Sequence, residues 1–537
     1  MATDHSLRRR VVTMGEAAGL VFTADSDEAQ RLAVAVRASN WPGVEDVVPA
    51  AESLGVLVDP ETAAIADVLE LAAGMPVADA VGEPKQLDVE VCFDGPDMDA
   101  VARSAGMAAE ELIESLQSEL LRVAWLGFMP GFPYLVGLPA ALASVPRLDR
   151  PRVQVPNGAF AIANGYAGIY PTASPGGWNV LGRTTLSMFD PERAAPATLA
   201  PGDLVRVRSV GALAAPVVPE RSPMRAAGPR RVVVLEPGAM ALVQDLGRVG
   251  VGHLGVPRAG PSDALRQTIA NIAVGNSERC AALEITVGGT TLSFGCDAFV
   301  ALAGDCSMEV GGRSTPPSTT QPVGRGETVV IGAVGTGVRA YLAISGGLEA
   351  PGRFGSRSSD AVTGIWPGPL RSGDEIDLGT PGRPRGRWFE PAREHPVVLR
   401  VNRGPDDADS AAFDSLLGVS WEVAPESNRV GTRLRPLDGL ASGARIWAAA
   451  AVPSRATVMG AVQVPPDGCP VVLGPDHGTV GGYPVVAVVT RPSLSSAGQL
   501  RPGDVVSFEE SAGAVPFSVA SVARNAVTGW MSGGLGA

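Results

Sequence analysis

A few glycine-rich turns and polar clusters carry most of the chemistry this chain could do. In the segment 171–184, Gly176 and Gly177 sit between Pro175 and Trp178. Such a turn can expose backbone N–H groups, and Ser174, Asn179, Arg183 and Thr184 add donors suited to a carboxylate, carbamate or phosphate. A barrel hairpin with Trp178 packed inside accounts for the same residues. A second polar series runs through Asp245, Arg248, His253, Ser262, Asp263 and Glu284. Asp263 reads as the N-cap of a helix over Ala264–Ala273, and Arg248 beside Asp245 reads equally as an ion pair. Loops around Arg357 and Arg429 pair guanidiniums with hydroxyls, a chemistry for anionic substrates. Asp476-His477 precedes Gly481-Gly482-Tyr483, and of four histidines only His253 and His477 are candidates for proton transfer. The aromatic, turn-broken stretch Val123–Leu138 is either a pocket wall or a core strand with an ordered loop.

What is missing narrows the chemistry further. Lys85 is the single lysine, so 42 of the 43 basic residues are arginine. A P-loop, a biotin carrier, a Ser–Lys amidase and a Schiff-base enzyme would each have to use Lys85, whose setting suits none of them. Gly250–Gly255 matches GxGxxG, but Pro257, Gly260 and Pro261 prevent the helix that a dinucleotide site needs. No GxSxG elbow occurs. Five cysteines form no CxxC pair, which argues for reduced thiols and a cytoplasmic home. Cys296 and Cys306 read as small core residues of strands, and no metal site is expected. A net charge of −13 without a dense basic cluster excludes a nucleic-acid groove or an anionic membrane surface as partner. No apolar run approaches about 18 residues, and no signal-peptide pattern is present.

The elements that must position these residues are mostly strands. At roughly 150 residues per domain, 537 residues suggest three or four domains. Gly (66) and Pro (46) together reach nearly double average use, as expected of turn-rich β material. Residues 1–85 read as a small α/β domain with helices near 26–39 and 60–73. Beyond Arg122 helical periodicity nearly disappears. A Gly-Gly-X turn followed by Gly-Asp and an alternating strand occurs three times: Gly177 to Asp203, Gly347 to Asp374, and Gly482 to Asp504. Three such matches favour tandem β-barrel units, over 86–210, 231–385 and 386–510. Residues 211–230 form the best linker, Pro381–Arg387 a weaker boundary, and 511–537 a loosely held tail.

The ordered motifs carry a family resemblance over nearly the whole chain. Residues 10–210 resemble the protein long labelled allophanate hydrolase subunit 1, through Pro42-Gly43-Val44, Gly127 to Leu135, Val155-Pro156, Ile169 to Pro171, and Ser174 to Asn179 with Gly182-Arg183-Thr184. Residues 231–510 resemble its second counterpart, allophanate hydrolase subunit 2, through Gln244 to Arg248, Leu254 to Pro257, Gly355 to Ser358, Ser427 to Arg429, Gln463 to Pro465, Gly481 to Pro484, and Gln499 to Asp504. The chain therefore resembles a fusion of the two, which implies cyclophilin-like barrels.

Bacterial members of this family are best regarded as the B and C subunits of ATP-dependent 5-oxoprolinase, acting with a separate A-type subunit. The resemblance thus implies an ATP-dependent lactam hydrolase that opens 5-oxoproline to glutamate, with ATP and Mg as co-substrate and no covalent biotin on this chain. ATP would phosphorylate the lactam oxygen, and Asn179, Arg183 and Thr184 would face Arg248, Arg357 and Arg429 across one anion-binding cleft. Two other jobs are implied: the carboxyltransferase part of a urea carboxylase, and a non-enzymatic histidine-kinase inhibitor. Allophanate cleavage itself would need a catalytic lysine and is rejected. The resemblance also leads one to expect a histidine in the helix before Gly127, where Leu116 stands instead. The sequence leaves homo-oligomerisation open.

Overall fold

The computed structural model describes residues 8–77, 83–148, 150, 152–213, 223–363, 368–406, 411–437, 452–513 and 517–533. Much of the expected 211–230 linker therefore lies outside the described residues. The architecture is mainly β, with tandem cyclophilin-like barrels behind an N-terminal α/β unit.

The N-terminal unit is a four-stranded antiparallel sheet in the order Val11–Thr13, Ala18–Phe22, Ser53–Val58, Val44–Pro49. Side chains alternate across a strand, so its two faces bury different things. Val21, Val47, Leu54 and Val56 pack under helices Ser26–Ser39 and Ile65–Ala73. Leu20 and Val48 point the other way, into a cluster shared with two barrels. Asp25 caps the first helix by accepting the Glu28 N–H at 2.8 Å. The second helix starts at Ile65, later than Pro60, because the Asp59 carboxylate ties residues 59–62 into a turn through the Glu61 N–H and the Thr62 hydroxyl.

The first barrel has seven strands in the order Asn179–Arg183, Ala159–Ala163, Tyr166–Ile169, Pro133–Val136, Leu121–Leu126, Leu204–Ser209, Gln86–Val91. A backbone bridge between Cys92 and Arg183 joins its two ends. The last barrel is closed: Val397–Arg403, Val485–Val489, Ala461–Gln463, Val471–Leu473, Gly431–Pro436, Trp421–Val423, Val505–Glu510. In both, the first strand runs parallel to the last. The middle unit differs from the expected single barrel. Its described strands form a six-stranded and a five-stranded sheet around one core, with Arg231–Pro237 antiparallel to Glu375–Asp377.

The Gly-Asp repeat has a common structural job. Asp203, Asp374 and Asp504 each accept the N–H three residues earlier, from Ala200, Arg371 and Arg501, at 2.8 Å. Each also grips the chain entering its unit, through the Lys85 N–H, the Met224 N–H and the Arg393 guanidinium. The carboxylate thus pins the last strand beside the first.

One expectation fails at the C-terminus. Residues 519–533 form a helix, and Ala523 and Val527 are buried with Ile269, Ile272 and Trp388 against helix Ala264–Ala273. A tail of small residues can approach another helix closely, which composition alone reads as looseness.

Asp374→Ala would strand two N–H groups inside the middle unit. Replacing a charged acceptor of two hydrogen bonds should cost about 2–4 kcal/mol, read as a lower denaturant midpoint. An unchanged midpoint would refute the pinning role.

Candidate functional site

The Gly-rich hairpin is packed against partners the sequence did not single out. Strand Ser174–Gly176 pairs with Arg152–Val155, and Asn179 begins the next strand. The Leu148 N–H donates to Gly177 O at 2.8 Å, and Asn179 Nδ2 donates to Pro146 O at 2.8 Å. Hairpin and residues 146–148 are thereby sewn together, and Arg147 lies between the two stitches. A Cβ at Gly176 would collide with the Tyr170 hydroxyl, so the turn requires glycine for space.

An aromatic wall stands behind. Trp125 stacks on Tyr134 at 4.6 Å between ring centroids, and Trp178 meets Phe132 and Tyr134 edge-on at 5.3 and 5.6 Å. Burial pushes the Tyr134 hydroxyl up to about 12, and burial raises Tyr170 further, so both stay protonated near neutrality. The far side comes from the last barrel. The Arg147 guanidinium lies 6.0 Å from the Tyr483 ring centre, and a Cβ on Gly482 would sit 3.3 Å from Arg147 Nη2. Ser454 hydrogen-bonds the Tyr134 oxygen. Strand residues 455–456 pair with 480–481 and press Ala456 onto Gly55 of the N-terminal sheet.

Segment 474–484 links this contact to a second polar centre. Arg429 grips Asp476 with both ends of its fork at 2.8 Å, pairs with Glu284, and donates to Gly260 O at 2.8 Å. Glu284 is fully buried; desolvation would raise its carboxyl, but Arg429 and Arg339 outweigh it and hold it below the usual range. Next to Asp476, His477 is buried and its imidazole is held neutral by desolvation. Its Nδ1 lies 2.8 Å from Gly478 O, which can only accept, so Nδ1 carries the proton and Nε2 is the basic atom. Gly478 in turn abuts Phe128 of the first barrel.

The remaining candidates fall elsewhere. Asp245 accepts the Ser356 and Ser358 hydroxyls at 2.5 and 2.6 Å and the Arg357 N–H at 2.6 Å, shaping that loop. Arg248 is buried and donates to Ser358 O, while its Nε and Nη1 have no partner among the described residues. Burial and the neighbouring Asp476 raise the Asp360 carboxyl beside it. His253 lies in a short turn, Gly252–Leu254, whose Gly252 N–H donates to Asp46 of the N-terminal sheet at 2.9 Å.

The expected single cleft of Asn179, Arg183 and Thr184 facing Arg248, Arg357 and Arg429 is therefore not formed. Arg183 spends its Nε on Asp94, Arg357 pairs with Glu349, and Arg429 is saturated by Glu284 and Asp476. Thr184 accepts the Leu186 N–H, and Asn179 turns inward. The structure does bring Gly176, Gly177, Trp178, Asn179 and Tyr483 to one place. Ser174 pairs with Val155, its buried hydroxyl without a partner among the described residues. Sequence reading missed Arg147 and Arg152, while Tyr134 lay in the stretch Val123–Leu138, read as a pocket wall or a core strand, and Tyr170 only in a family motif. The available signal was the pair Pro146-Arg147 and Pro151-Arg152, five residues apart. Among the described residues no cluster could hold a metal ion, and no helix is long and apolar enough to cross a membrane.

Burial, helped by the Arg37 charge, lowers His253 to about 4. An unfolded histidine takes its proton near 6.5, so between pH 6.5 and 4 the unfolded state binds more protons. Stability is thus full above pH 6.5 and falls through that window by on the order of 3 kcal/mol from this group. His253→Gln should flatten that part of the stability–pH curve; an unaltered slope would refute the assignment.

Comparison with known proteins fits this two-part construction. The family model "Carboxyltransferase domain, subdomain C and D" matches residues 9–199, and "Carboxyltransferase domain, subdomain A and B" matches 254–510. The chain is 37% identical to the 5-oxoprolinase B subunit of Escherichia coli O157:H7 over 179 residues, 32% of this chain and 81% of that protein. It is 30% identical to the 5-oxoprolinase C subunit of Escherichia coli K12 over 286 residues, 51% of this chain and 89% of that protein. The crystal structure of TTHA0988 superposes with a TM-score of 0.81 at 36% identity, covering 92% of this chain and 99% of that one.

Proposed function

This chain belongs to the carboxyltransferase-domain family, with counterparts of the 5-oxoprolinase B and C subunits in one polypeptide, and on that premise we propose that it is the fused B and C component of an ATP-dependent 5-oxoprolinase. Water is added across the lactam C–N bond of 5-oxoproline to give glutamate, while ATP becomes ADP and phosphate. One observation carries the reading. The hairpin of the N-terminal, B-like half and the Gly482-Tyr483 turn of the C-like half close on the same residue, Arg147. On this reading the site is completed by both halves.

Within this reading the chain binds and orients the lactam. Gly176, Gly177 and Asn179 are positioning residues that hold Arg147 in place, and Trp178 and Tyr134 supply a flat apolar wall. His477 is the acid/base candidate, because its imidazole is neutral and Nε2 is its basic atom. The glycine run 250–255 does not suit a phosphate: Gly252 N–H is taken by the Asp46 carboxylate, and Gly255 is packed on Met129 O. We therefore derive no step through ATP on this chain and assign nucleotide handling to an A-type partner.

The family description itself favours a second reading, carboxyl transfer from biotin carried on another protein. The two readings separate in one assay. Purified chain with its A-type partner, 5-oxoproline, ATP and Mg should release ADP and glutamate only when 5-oxoproline is present. Gly176→Ala, which displaces the Tyr170 hydroxyl, should lower that rate at least tenfold. No substrate-dependent ADP would end the first reading, and turnover of free carboxybiotin with urea would establish the second.

A further inference from the structure

The glycine run 250–255 does not suit a phosphate, yet the fold seats it against two units of the first half. The loop that carries it belongs to the middle unit and is closed by its own bonds. The Arg248 N–H donates to Arg258 O at 2.8 Å, which ties the two ends of the loop together. Inside it, the Leu254 N–H donates to Val251 O at 3.0 Å and the Gly255 N–H to Gly252 O at 2.9 Å. Just beyond it, the Ala259 N–H donates to Pro475 O of the last barrel at 3.1 Å. A compact loop whose ends meet, as in an Ω-loop, is held in shape by its own half and meets another surface already ordered.

The surface it meets reads its backbone. On the N-terminal sheet, Asp46 accepts the Gly252 N–H at 2.9 Å, and the other Asp46 oxygen is fixed by the Val47 N–H at 2.9 Å. On the first barrel, the Gly131 N–H donates to Leu254 O at 2.8 Å, and the Leu254 side chain packs on that barrel's core cluster. Arg258 forks onto both oxygens of Glu45. A carboxylate on a backbone N–H and an arginine fork are the stronger kinds of hydrogen bond. Shape adds a filter. A Cβ on Gly252 would lie 2.8 Å from Val48 Cγ2, and one on Gly255 would lie 2.1 Å from Met129 O. Gly255 also takes φ +78°, a left-handed conformation that glycine adopts without steric cost. Both glycines are thus needed for the close approach of the first half.

We infer that residues 248–258 are the docking loop by which the second half of the chain recognises the first, so that the glycine pattern is a protein-recognition element. The partner it fits is a surface built jointly by the N-terminal sheet and the first barrel, with acids at positions 45 and 46 and an open backbone N–H at 131. Apolar contact is non-directional. The hydrogen bonds and the ion pair of this loop are directional, and they distinguish the right half from any other apolar surface. The assignment holds whichever reaction the joined halves serve.

Cutting the folded full chain at a protease site placed between residues 214 and 222 tests it. The cut wild type should remain one species in gel filtration at micromolar concentration. Glu45→Arg or Arg258→Glu should each weaken the association at least tenfold, and the two together should restore it to within threefold of wild type. Loss of packing alone would not be rescued by such a charge swap. Gly255→Ala should also weaken the association at least tenfold, and millimolar ATP or NAD should leave the wild-type affinity unchanged. Separation of the cut wild type at micromolar concentration, single substitutions without effect, a swap no better than the singles, or nucleotide binding that Gly255→Ala abolishes would overturn the inference.

Discussion

A single apolar cluster spans three units of the chain, and the contact between the first and last barrels depends on it. Trp125, Phe132, Tyr134 and Trp178 of the first barrel pack with Ala456, Leu473, Val480 and Val488 of the last, and with Leu20 and Val48 of the N-terminal sheet. Each large apolar side chain so buried contributes about 1.5–3 kcal/mol. Parting the units would expose many of them together, so the cleft between them is a fixed shape rather than a hinge. The 5-oxoprolinase B and C subunits that match the two halves are separate polypeptides, for which the equivalent contact would be intermolecular. Joining the halves removes the translational and rotational cost of that encounter. The glycines at the contact follow from the same closeness: Gly55 under Ala456, Gly127 against Val480, and Gly478 against Phe128 all lie where a side chain would not fit.

The ionic centre around Arg429 does a different job. Glu284 comes from the middle unit, Arg429 and Asp476 from the last, and Tyr341 donates to Glu284 at 2.8 Å. Buried charges tolerate such a site only when all are paired and hydrogen-bonded. That requirement fixes the start of segment 474–484, whose other end reaches Arg147. Apolar burial therefore sets where the barrels sit, and paired charge sets how the connecting segment runs between them. Arg248 departs from this pattern, with three carboxylates near it and two of its three guanidinium nitrogens without partners among the described residues.

Sequence reading captured what is periodic or local. The Gly-Asp repeat was visible because one carboxylate does the same turn-closing work three times. Asp263 was legible as a cap because the cap is made within three residues. The hairpin glycines were legible because their need for space is local. What escaped is what long-range packing decides. Arg183, Arg357 and Arg429 look alike in sequence, but the structure gives each a different carboxylate partner, drawn from 8 to 145 positions away. Arg147 had no periodic context, and its meaning depends on Tyr483, which the fold brings from another unit. The middle unit was read as a barrel because the Gly-Gly-X and Gly-Asp turn pattern recurs in it, while the pairing that splits its strands into two sheets is non-local.

The same two-sided geometry bears on Leu116. A histidine expected at that position would matter for proton transfer only if its side chain shared a space with the ligand. Leu116 lies on helix Ala109–Ser118 and is fully buried with Leu112, Leu121, Val123, Leu126 and Leu135. Those strand residues alternate with Ala124, Trp125 and Tyr134, which belong to the cluster that backs the pocket. Position 116 therefore faces one side of the first-barrel sheet, and the pocket lies on the other. A residue there acts on the ligand only through the sheet, so leucine at 116 is a packing choice. Any proton chemistry on the far side of that sheet has to come from groups on that side.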